Sequence, residues 1–163
     1  MTSLQLKPKA LTREAFAAFG DVISCAEAES FWINEGTTER FHDLAKVDVG
    51  GGRALINIFR ARPRPTPIAL RVMERHPLGS QAFMALERRP FLVVVAPPGR
   101  SPVPDTLEAF ITDGTQGVNY HPGVWHHPVL ALLQETDFLV VDRGGPGDHC
   151  DEVALPGGIF LVC

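Results

Sequence analysis

Glycine and proline interrupt this chain at short intervals, and this spacing restricts its fold more than any other feature. The 163 residues include 15 glycines and 14 prolines. Glycine weakens a helix and proline removes a backbone hydrogen-bond donor, so long helices are disfavoured. The short apolar runs between these residues are typical of β-strands. The sequence therefore predicts a mainly β protein with few short helices.

Eight short segments have the apolar and β-branched composition of strands. They cover residues 54–60, 68–76, 81–86, 91–96, 107–112, 118–120, 128–133 and 138–142. One short helix is predicted, with Thr12 as its N-cap and Gly20 at its end. Neither an internal repeat nor a linker divides the chain. We therefore expect one domain over residues 1–163, folded as a β-sandwich or barrel.

Composition and charge exclude several classes of protein. Hydrophobic residues make up 45% of the chain and charged residues 21%, as in globular domains, which excludes general disorder. The net charge of −4 argues against a nucleic acid or an anionic membrane as partner. Cys25, Cys150 and Cys163 are widely spaced, without a C-x-x-C motif. This odd number of cysteines indicates incidental thiols in a cytoplasmic protein.

The first candidate site lies at the end of the segment 68–76. With a period of two, its even-numbered residues share one face, and the apolar ones should point into the barrel. The same parity places Glu74 and His76 inside, where a carboxylate and an imidazole need a partner, a ligand or a metal. Alternatively, the strand ends near Met73 and both groups lie in solvent. A turn at residues 77–80 would bring Gln81 close to His76.

The second candidate site is the segment 117–128, which contains three histidines beside Tyr120. His126 shares the parity of the apolar residues in the following strand, which favours it over His127 as the inward residue. The remaining histidines are predicted to be surface residues: His42 and His149. The chain contains no nucleophile elbow, P-loop, Rossmann fingerprint or H-E-x-x-H motif. Most arginines are expected in solvent, although one or two could clamp a substrate carboxylate.

Several segments together resemble the ureidoglycolate lyase family. They are RHPLGSQAF (75–83), FLVVVA (91–96), GVNY (117–120), GVWHHP (123–128) and DFLVVDRG (137–144), with a similar segment at 11–23. The family belongs to the cupin superfamily. The resemblance therefore implies a cupin-type double-stranded β-helix, that is, a jelly-roll barrel, and a homodimer.

The resemblance also implies a set of metal ligands. Cupins carry an H-x-H pair followed by a glutamate, and a later G-x-x-H motif. Here Glu74 and His76 occupy the H-x-H positions, Gln81 the glutamate position and His126 the last position. Two of the four differ from the common ligand type, and Gln is a weak neutral ligand. A loosely held divalent ion and the absence of a metal are both consistent with this set. No organic cofactor is implied.

The activity implied by the resemblance is cleavage of ureidoglycolate to glyoxylate and urea in allantoin and purine degradation. This reaction needs a base at the substrate hydroxyl, an acid at the leaving nitrogen and a cation for the carboxylate. Glu74 or His76 would be the base, and His126 the acid. The remaining assignments are to substrate binding: Gln81, Tyr120 and Arg75.

Three alternatives compete with this activity. An amidohydrolase acting on the same substrate would release ammonia, which requires attack by water and an oxyanion site. A non-catalytic cupin would bind a small acid without turnover. A metal-dependent cupin dioxygenase or isomerase would normally have three histidines and a glutamate as ligands, which this chain lacks.

Overall fold

A computed structural model describes residues 3–163. Met1 and Thr2 belong to the predicted domain and lie outside the described residues. The strands are β1 (Leu4–Leu6), β2 (Lys9–Ala10), β3 (Gly20–Ile23), β4 (Ser30–Ile33), β5 (Thr38–Phe41), β6 (Arg53–Ala61), β7 (Ile68–Ala69), β8 (Val72–Arg75), β9 (Gln81–Ala85), β10 (Phe91–Ala96), β11 (Glu108–Ile111), β12 (Gly117–Tyr120), β13 (Trp125–His126), β14 (Leu130–Ala131), β15 (Thr136–Gly144), β16 (Asp151–Ala154) and β17 (Ile159–Leu161). The helices are α1 (Arg13–Phe16) and a 3-10 turn (Pro104–Thr106). Among the described residues, neither helix has the length and apolar character of a membrane span.

Two sheets face each other across the larger of two apolar cores. One sheet has the order β16-β8-β13-β10-β11-β2, with β14 also paired to β10, and the other has the order β3-β12-β9-β15-β6. Aromatic side chains from both sheets and from α1 fill the space between them, among them Phe16, Phe83, Phe91, Phe110, Tyr120 and Phe138. We call this the inner core. The predicted mainly β, cupin-like sandwich is confirmed.

A third sheet, of order β1-β17-β7, covers the outside of the first one. Alternate residues of β10 show the two layers. Phe91, Val93 and Val95 belong to the inner core, whereas Leu92 and Val94 pack against residues of β7 and β17 in a second, outer core. Because β10 is buried on both faces, its sequence is apolar without alternation.

The predicted helix begins where expected but ends early. Thr12 is its N-cap, and the Oγ1 atom of Thr12 accepts a hydrogen bond of 3.1 Å from the Ala15 backbone nitrogen. The helix ends at Phe16, whereas Gly20 was predicted to end it and instead begins β3. A Cβ atom on Gly20 would lie 1.9 Å from the Asn119 carbonyl oxygen. Glycine at this position permits the close pairing of β3 with β12.

The predicted strand 68–76 is interrupted, which changes its parity. The chain leaves β7 after Ala69 and re-enters the sheets at Val72 in β8. Leu70 and Met73 both pack in the outer core, so the prediction that the even-numbered apolar residues point inward is wrong. Glu74 lies on the face of β8 opposite to Met73, toward the inner core.

Other elements differ from the prediction because their sequences are short or polar. The segment 128–133 contributes only β14, while β13 precedes it at residues 125–126. Strands β1 to β5, β16 and β17 were not predicted. In β4 and β5 nearly every residue is exposed, and in β16 two acidic residues precede the two apolar ones. Strands β4 and β17 contain only three consecutive apolar residues each, and the other unpredicted strands contain fewer, so none shows the run of about four to eight by which a buried strand is recognised.

Candidate active site

Glu74, His76 and His126 meet at one end of the inner core. Strands β8 and β13 are antiparallel neighbours, and their register places Glu74 directly opposite His126. The Oε1 atom of Glu74 lies 3.5 Å from the Nε2 atom of His126. His76 follows β8, and its ring centroid is 5.2 Å from that of His126. One ligand atom from each of the three residues lies within 4.8 Å of the others.

Backbone carbonyls determine which nitrogen of each imidazole carries the proton. The Nδ1 atom of His76 contacts the carbonyl oxygen of His149 at 2.8 Å, and Nδ1 of His126 contacts that of Val124 at 3.1 Å. A carbonyl oxygen only accepts, so both Nδ1 atoms donate, and each neutral ring presents a lone pair at Nε2. Both Nε2 atoms are buried and have no hydrogen-bond partner among residues 3–163.

These two lone pairs and the Glu74 carboxylate are three electron-pair donors in a confined space. The Glu74 side chain is only 18% exposed, and that of His126 is 2% exposed. Buried polar atoms are almost always satisfied in folded proteins, so this arrangement is suited to a proton, a cation or the donor groups of a substrate.

Burial and charge shift the acidities of this cluster in opposite directions. Burial alone would raise the pKa of Glu74, but the nearby His126 and His76 imidazoles outweigh it and lower that pKa below its ordinary value. Burial lowers the pKa of His126, and Glu74 opposes this only in part. Burial, with Glu74 nearby, raises the pKa of Tyr120. Glu74 is therefore charged near neutral pH, His126 is neutral and Tyr120 keeps its proton.

Tyr120 fixes the plane of the His126 ring. Their ring centroids are 4.1 Å apart and the planes differ by 4°, which is a stacked arrangement. Tyr120 is also the register partner of Gln81 in the pairing of β12 with β9. The second sheet therefore places an aromatic ring and an amide beside the cluster contributed by the first.

Gln81 is held in one orientation by Asp142. Gln81 is buried, and its Nε2 atom donates to Oδ2 of Asp142 at 3.3 Å. The Oδ1 atom of Asp142 accepts from Nδ2 of Asn57 at 3.0 Å. Because a carboxylate offers only acceptors, the Gln81 amide nitrogen faces Asp142 and its carbonyl oxygen faces away. That oxygen is buried and has no partner among the described residues.

Cys150 lies against the other oxygen of Glu74. Its Sγ atom is 3.8 Å from Oε2 of Glu74, and the pairing of β16 with β8 brings the two together. Burial, followed by the charges of Glu74 and Glu152, raises the pKa of Cys150 to about 11. The thiol therefore keeps its proton and can donate it toward the carboxylate. Cys150 was predicted to be an incidental thiol, and the structure instead places it at the site.

A small cavity of about 110 Å³ adjoins this cluster. Beside Leu78 and Gly79, it is lined by six residues with polar side chains: His76, Ser80, Asp142, Arg143, His149 and Cys150. His76 belongs to both the cavity and the cluster. Pockets for drug-sized ligands are several times larger, so a cavity of this size suits a molecule of few atoms.

Arg75 and His127 lie away from this cavity. Arg75 is adjacent to Glu74 and therefore points to the opposite face of β8, where its Nε donates to Asp151 at 2.8 Å and its guanidinium stacks over Trp125. This placement argues against the predicted role of Arg75 in substrate binding. The Nδ1 atom of His127 donates to the carbonyl of Pro128 at 2.8 Å, outside the cluster. His126 is thus the residue of the pair that joins the site.

Five polar residues that line the cavity were not selected from the sequence: Ser80, Asp142, Arg143, His149 and Cys150. A signal existed for Asp142, because it continues the alternation of Phe138 and Val140, which face the inner core. His149 was predicted to be a surface residue, and it is exposed, but its backbone carbonyl orients His76. Cys150 depends on the pairing of β16 with β8, which no local pattern indicates.

Comparison with known proteins identifies the family of this chain. The sequence model of the family described as ureidoglycolate lyase matches residues 3–162. This chain belongs to the ureidoglycolate lyase family. The resemblance carried by the five central segments is thereby confirmed.

Curated members of the ureidoglycolate lyase family are similar over nearly the whole chain. A ureidoglycolate lyase from Burkholderia mallei (strain NCTC 10229) is 54% identical over 99% of this chain and 95% of its own length. One from Burkholderia cepacia is 57% identical over 92% of this chain and 86% of its own. One from Pseudomonas aeruginosa (strain LESB58) is 55% identical over 93% of this chain and 90% of its own length.

Proposed function

We propose that this chain is a ureidoglycolate lyase, which cleaves ureidoglycolate to glyoxylate and urea within allantoin and purine degradation. The family and the names of its relatives support this activity. The observation that carries the assignment is the buried cluster of Glu74, His76 and His126, in which both Nε2 atoms lack a partner among the described residues and His76 also lines a small cavity.

The reaction moves one proton from oxygen to nitrogen. Removal of the hydroxyl proton allows the C–O bond to become the carbonyl of glyoxylate. The C–N bond breaks as this carbonyl forms, and its electron pair leaves on the urea nitrogen. Protonation of that nitrogen gives urea, so no water is consumed. The protein must therefore supply an acceptor and a donor for the same proton.

Glu74 is the better base of the two candidates, and His126 delivers the proton. Glu74 is charged near neutral pH, because its pKa lies below the ordinary value of 4.5. His126 is neutral before the reaction because burial lowers its pKa, so it becomes an acid only after it receives a proton. With 3.5 Å between Oε1 of Glu74 and Nε2 of His126, a proton accepted by the carboxylate can pass to the imidazole and then to the leaving nitrogen.

Gln81 and Tyr120 orient the ureido group in this proposal. The free carbonyl oxygen of Gln81 can accept a hydrogen bond from a ureido N–H, because Asp142 holds its amide nitrogen. The Tyr120 hydroxyl keeps its proton and can donate it to the ureido carbonyl. Both contacts would direct the leaving nitrogen toward His126.

The cluster also fits a divalent metal ion. Glu74, His76 and His126 would hold it, since both Nε2 atoms are free and both Nδ1–H groups are bonded to carbonyls, as in many histidine metal sites. The free oxygen of Gln81 is the candidate for a fourth, weak ligand. A bound ion would lower the pKa of the substrate hydroxyl. Glu74 has two carboxylate oxygens, so ligation through one leaves the other to accept a proton.

Product analysis with racemic ureidoglycolate tests the proposal. Metal-stripped protein and protein supplied with divalent metal are incubated with the substrate, and urea, glyoxylate and ammonia are measured. Equal amounts of urea and glyoxylate are expected. Ammonia in the absence of added urease would contradict the lyase assignment and indicate an amidohydrolase. Substrate-dependent thermal stabilisation without any product would indicate a non-catalytic binding protein.

We also propose that the chain forms a homodimer in the cytoplasm. Strand β6 lies at the edge of the second sheet and exposes Ile56 and Ile58. An exposed apolar edge is a common site of pairing between subunits. All three cysteines are free and exposed, which suits a reducing compartment. Light scattering should give the mass of two chains, and Ile56→Lys should reduce it to that of one.

A further inference from the structure

We propose that Arg143, at the wall of the small cavity, binds the carboxylate of the substrate. This inference rests on the proposed function, because it names the group that holds one end of ureidoglycolate. A guanidinium is well suited to this task, since its planar N–H groups match the two oxygens of a carboxylate.

The Arg143 side chain is held in place by backbone groups. Its Nε atom donates to the carbonyl of Val49 at 2.8 Å and its Nη2 atom to that of Pro146 at 2.9 Å. Its Nη1 atom lies 3.4 Å from Nδ1 of His149. These contacts engage three of the five N–H donors and leave two for a ligand.

Glycines make room for this side chain. A Cβ atom on Gly79 would lie 2.7 Å from Cβ of Arg143, and one on Gly52 would lie 2.8 Å from its Nε. Real Cβ atoms do not approach other atoms so closely, so any other residue at these positions would displace the arginine. The position of Arg143 is therefore built into two neighbouring loops.

The charge of Arg143 has no partner in the described part of the chain. Among residues 3–163 it forms no ion pair with a carboxylate, in contrast to Arg60, Arg75 and Arg89. Asp142 also lines the cavity, but its oxygens accept from Asn57 and Gln81. A partly buried cation with only neutral partners is suited to an anionic ligand.

The position of the cavity suits a short hydroxy acid. Arg143 and His76 line the same cavity, and the carbonyl of His149 receives the Nδ1 proton of His76. The Nη1 atom of Arg143 contacts the side chain of the same His149. A carboxylate on Arg143 would therefore place its adjacent carbon toward the His76 side of the cluster, where the hydroxyl must lose its proton.

The test compares acid and ester substrates in the full chain. Ureidoglycolate and its methyl ester are assayed with the wild type and with the variants Arg143→Gln and Arg143→Lys. Arg62→Gln is the matched control, because Arg62 is exposed, pairs with Glu135 and does not line the cavity. We expect Arg143→Gln to raise KM for the acid about 10- to 100-fold and to leave KM for the ester unchanged. The KM of Arg143→Lys for the acid should lie between those of the wild type and Arg143→Gln, since lysine keeps the charge but loses the paired N–H donors.

Each other outcome has a defined meaning. If Arg143→Gln binds the acid as the wild type does, the inference is wrong. If Arg143→Gln fails to fold, the comparison of the two substrates in the wild type still tests the inference. A lower KM for the acid than for the ester supports it, and equal KM values overturn it. If the wild type releases no urea, the proposed function fails. Calorimetric titration with glyoxylate then decides separately: binding to the wild type but not to Arg143→Gln supports the subsite, and no binding to the wild type refutes it.

Discussion

The orientation of the Gln81 amide gives the most specific prediction from this structure. Asp142→Asn replaces a carboxylate, which can only accept, by an amide, which can also donate. The Gln81 side chain can then rotate by half a turn and present its nitrogen to the site. The variant has nearly the same shape, so the change is confined to hydrogen bonding. We expect a loss of catalytic efficiency with little loss of folding stability.

The size of this loss follows from the hydrogen bond that is weakened. A bond to a charged acceptor contributes about 1.5–3 kcal/mol. The distance of 3.3 Å between Gln81 and Asp142 is long, so the lower value of about 1.5 kcal/mol applies. This corresponds to a roughly tenfold fall in kcat/KM. Urea release at several substrate concentrations measures the fall directly.

Asn57 provides the control for this prediction. Asn57→Ala removes the other donor to Asp142 but leaves its carboxylate, so the Gln81 amide should keep its orientation. Catalytic efficiency should then stay close to that of the wild type. The reasoning would be refuted by an unchanged kcat/KM in Asp142→Asn, or by an equal fall in both variants.

Three further predictions concern the base, the core and the acid stability of the fold. Glu74→Gln should lower kcat by about 10²- to 10⁴-fold, as expected for loss of a general base; a rate near that of the wild type would exclude Glu74 as the base. Phe138→Ala removes a fully buried ring from the inner core and should lower the free energy of unfolding by about 3–5 kcal/mol, measured with urea; a change below about 1 kcal/mol would show that the core refills the space. Burial would raise the pKa of Asp21, but its hydrogen bond from Asn119 and further contacts hold it below the ordinary value of 3.8. The charged Asp21 carboxylate therefore stabilises the fold fully above pH 3.8, and this stabilisation is lost as the pH falls through the lower pKa of the folded state. Asp21→Asn should lower the free energy of unfolding near neutral pH and much less in strong acid. Equal destabilisation at both pH values would contradict this.

The sequence predicted the sandwich, and it selected Glu74, His76 and His126, although the parity arguments for Glu74 and His126 do not hold in the structure. Strand β10 could be predicted because its apolar run is complete. The parity argument for His126 had a wrong premise, since Leu130 packs in the outer core whereas His126 pairs with the inward-facing Val95. Glu74 was placed inside by a parity argument whose premise was wrong, since the chain leaves the sheet between Ala69 and Val72. Leu70 faces the outer core and not the inner one, and the interruption then shifts the alternation by one residue. The two differences cancel, so Glu74 faces the inner core as predicted.

The cavity wall could not be predicted because it depends on pairing between distant segments. Cys150 reaches Glu74 through the register of β16 with β8, and both strands are short. Arg143 faces the cavity because backbone carbonyls in two loops hold it. Neither contact leaves a periodic pattern in the sequence, whereas the alternation in β15 does predict the inward position of Asp142.

The parallel pairing of β1 with β17 has a kinetic consequence. It joins Leu4 to Ile159, so it closes a loop of nearly the whole chain and carries a large entropic cost. The outer layer built on this pairing should therefore form late and open first. In hydrogen exchange, the amides of β1 and β17 should exchange sooner than those of β10 and β15. The inner sandwich that carries the cluster would then stay closed while its outer covering fluctuates.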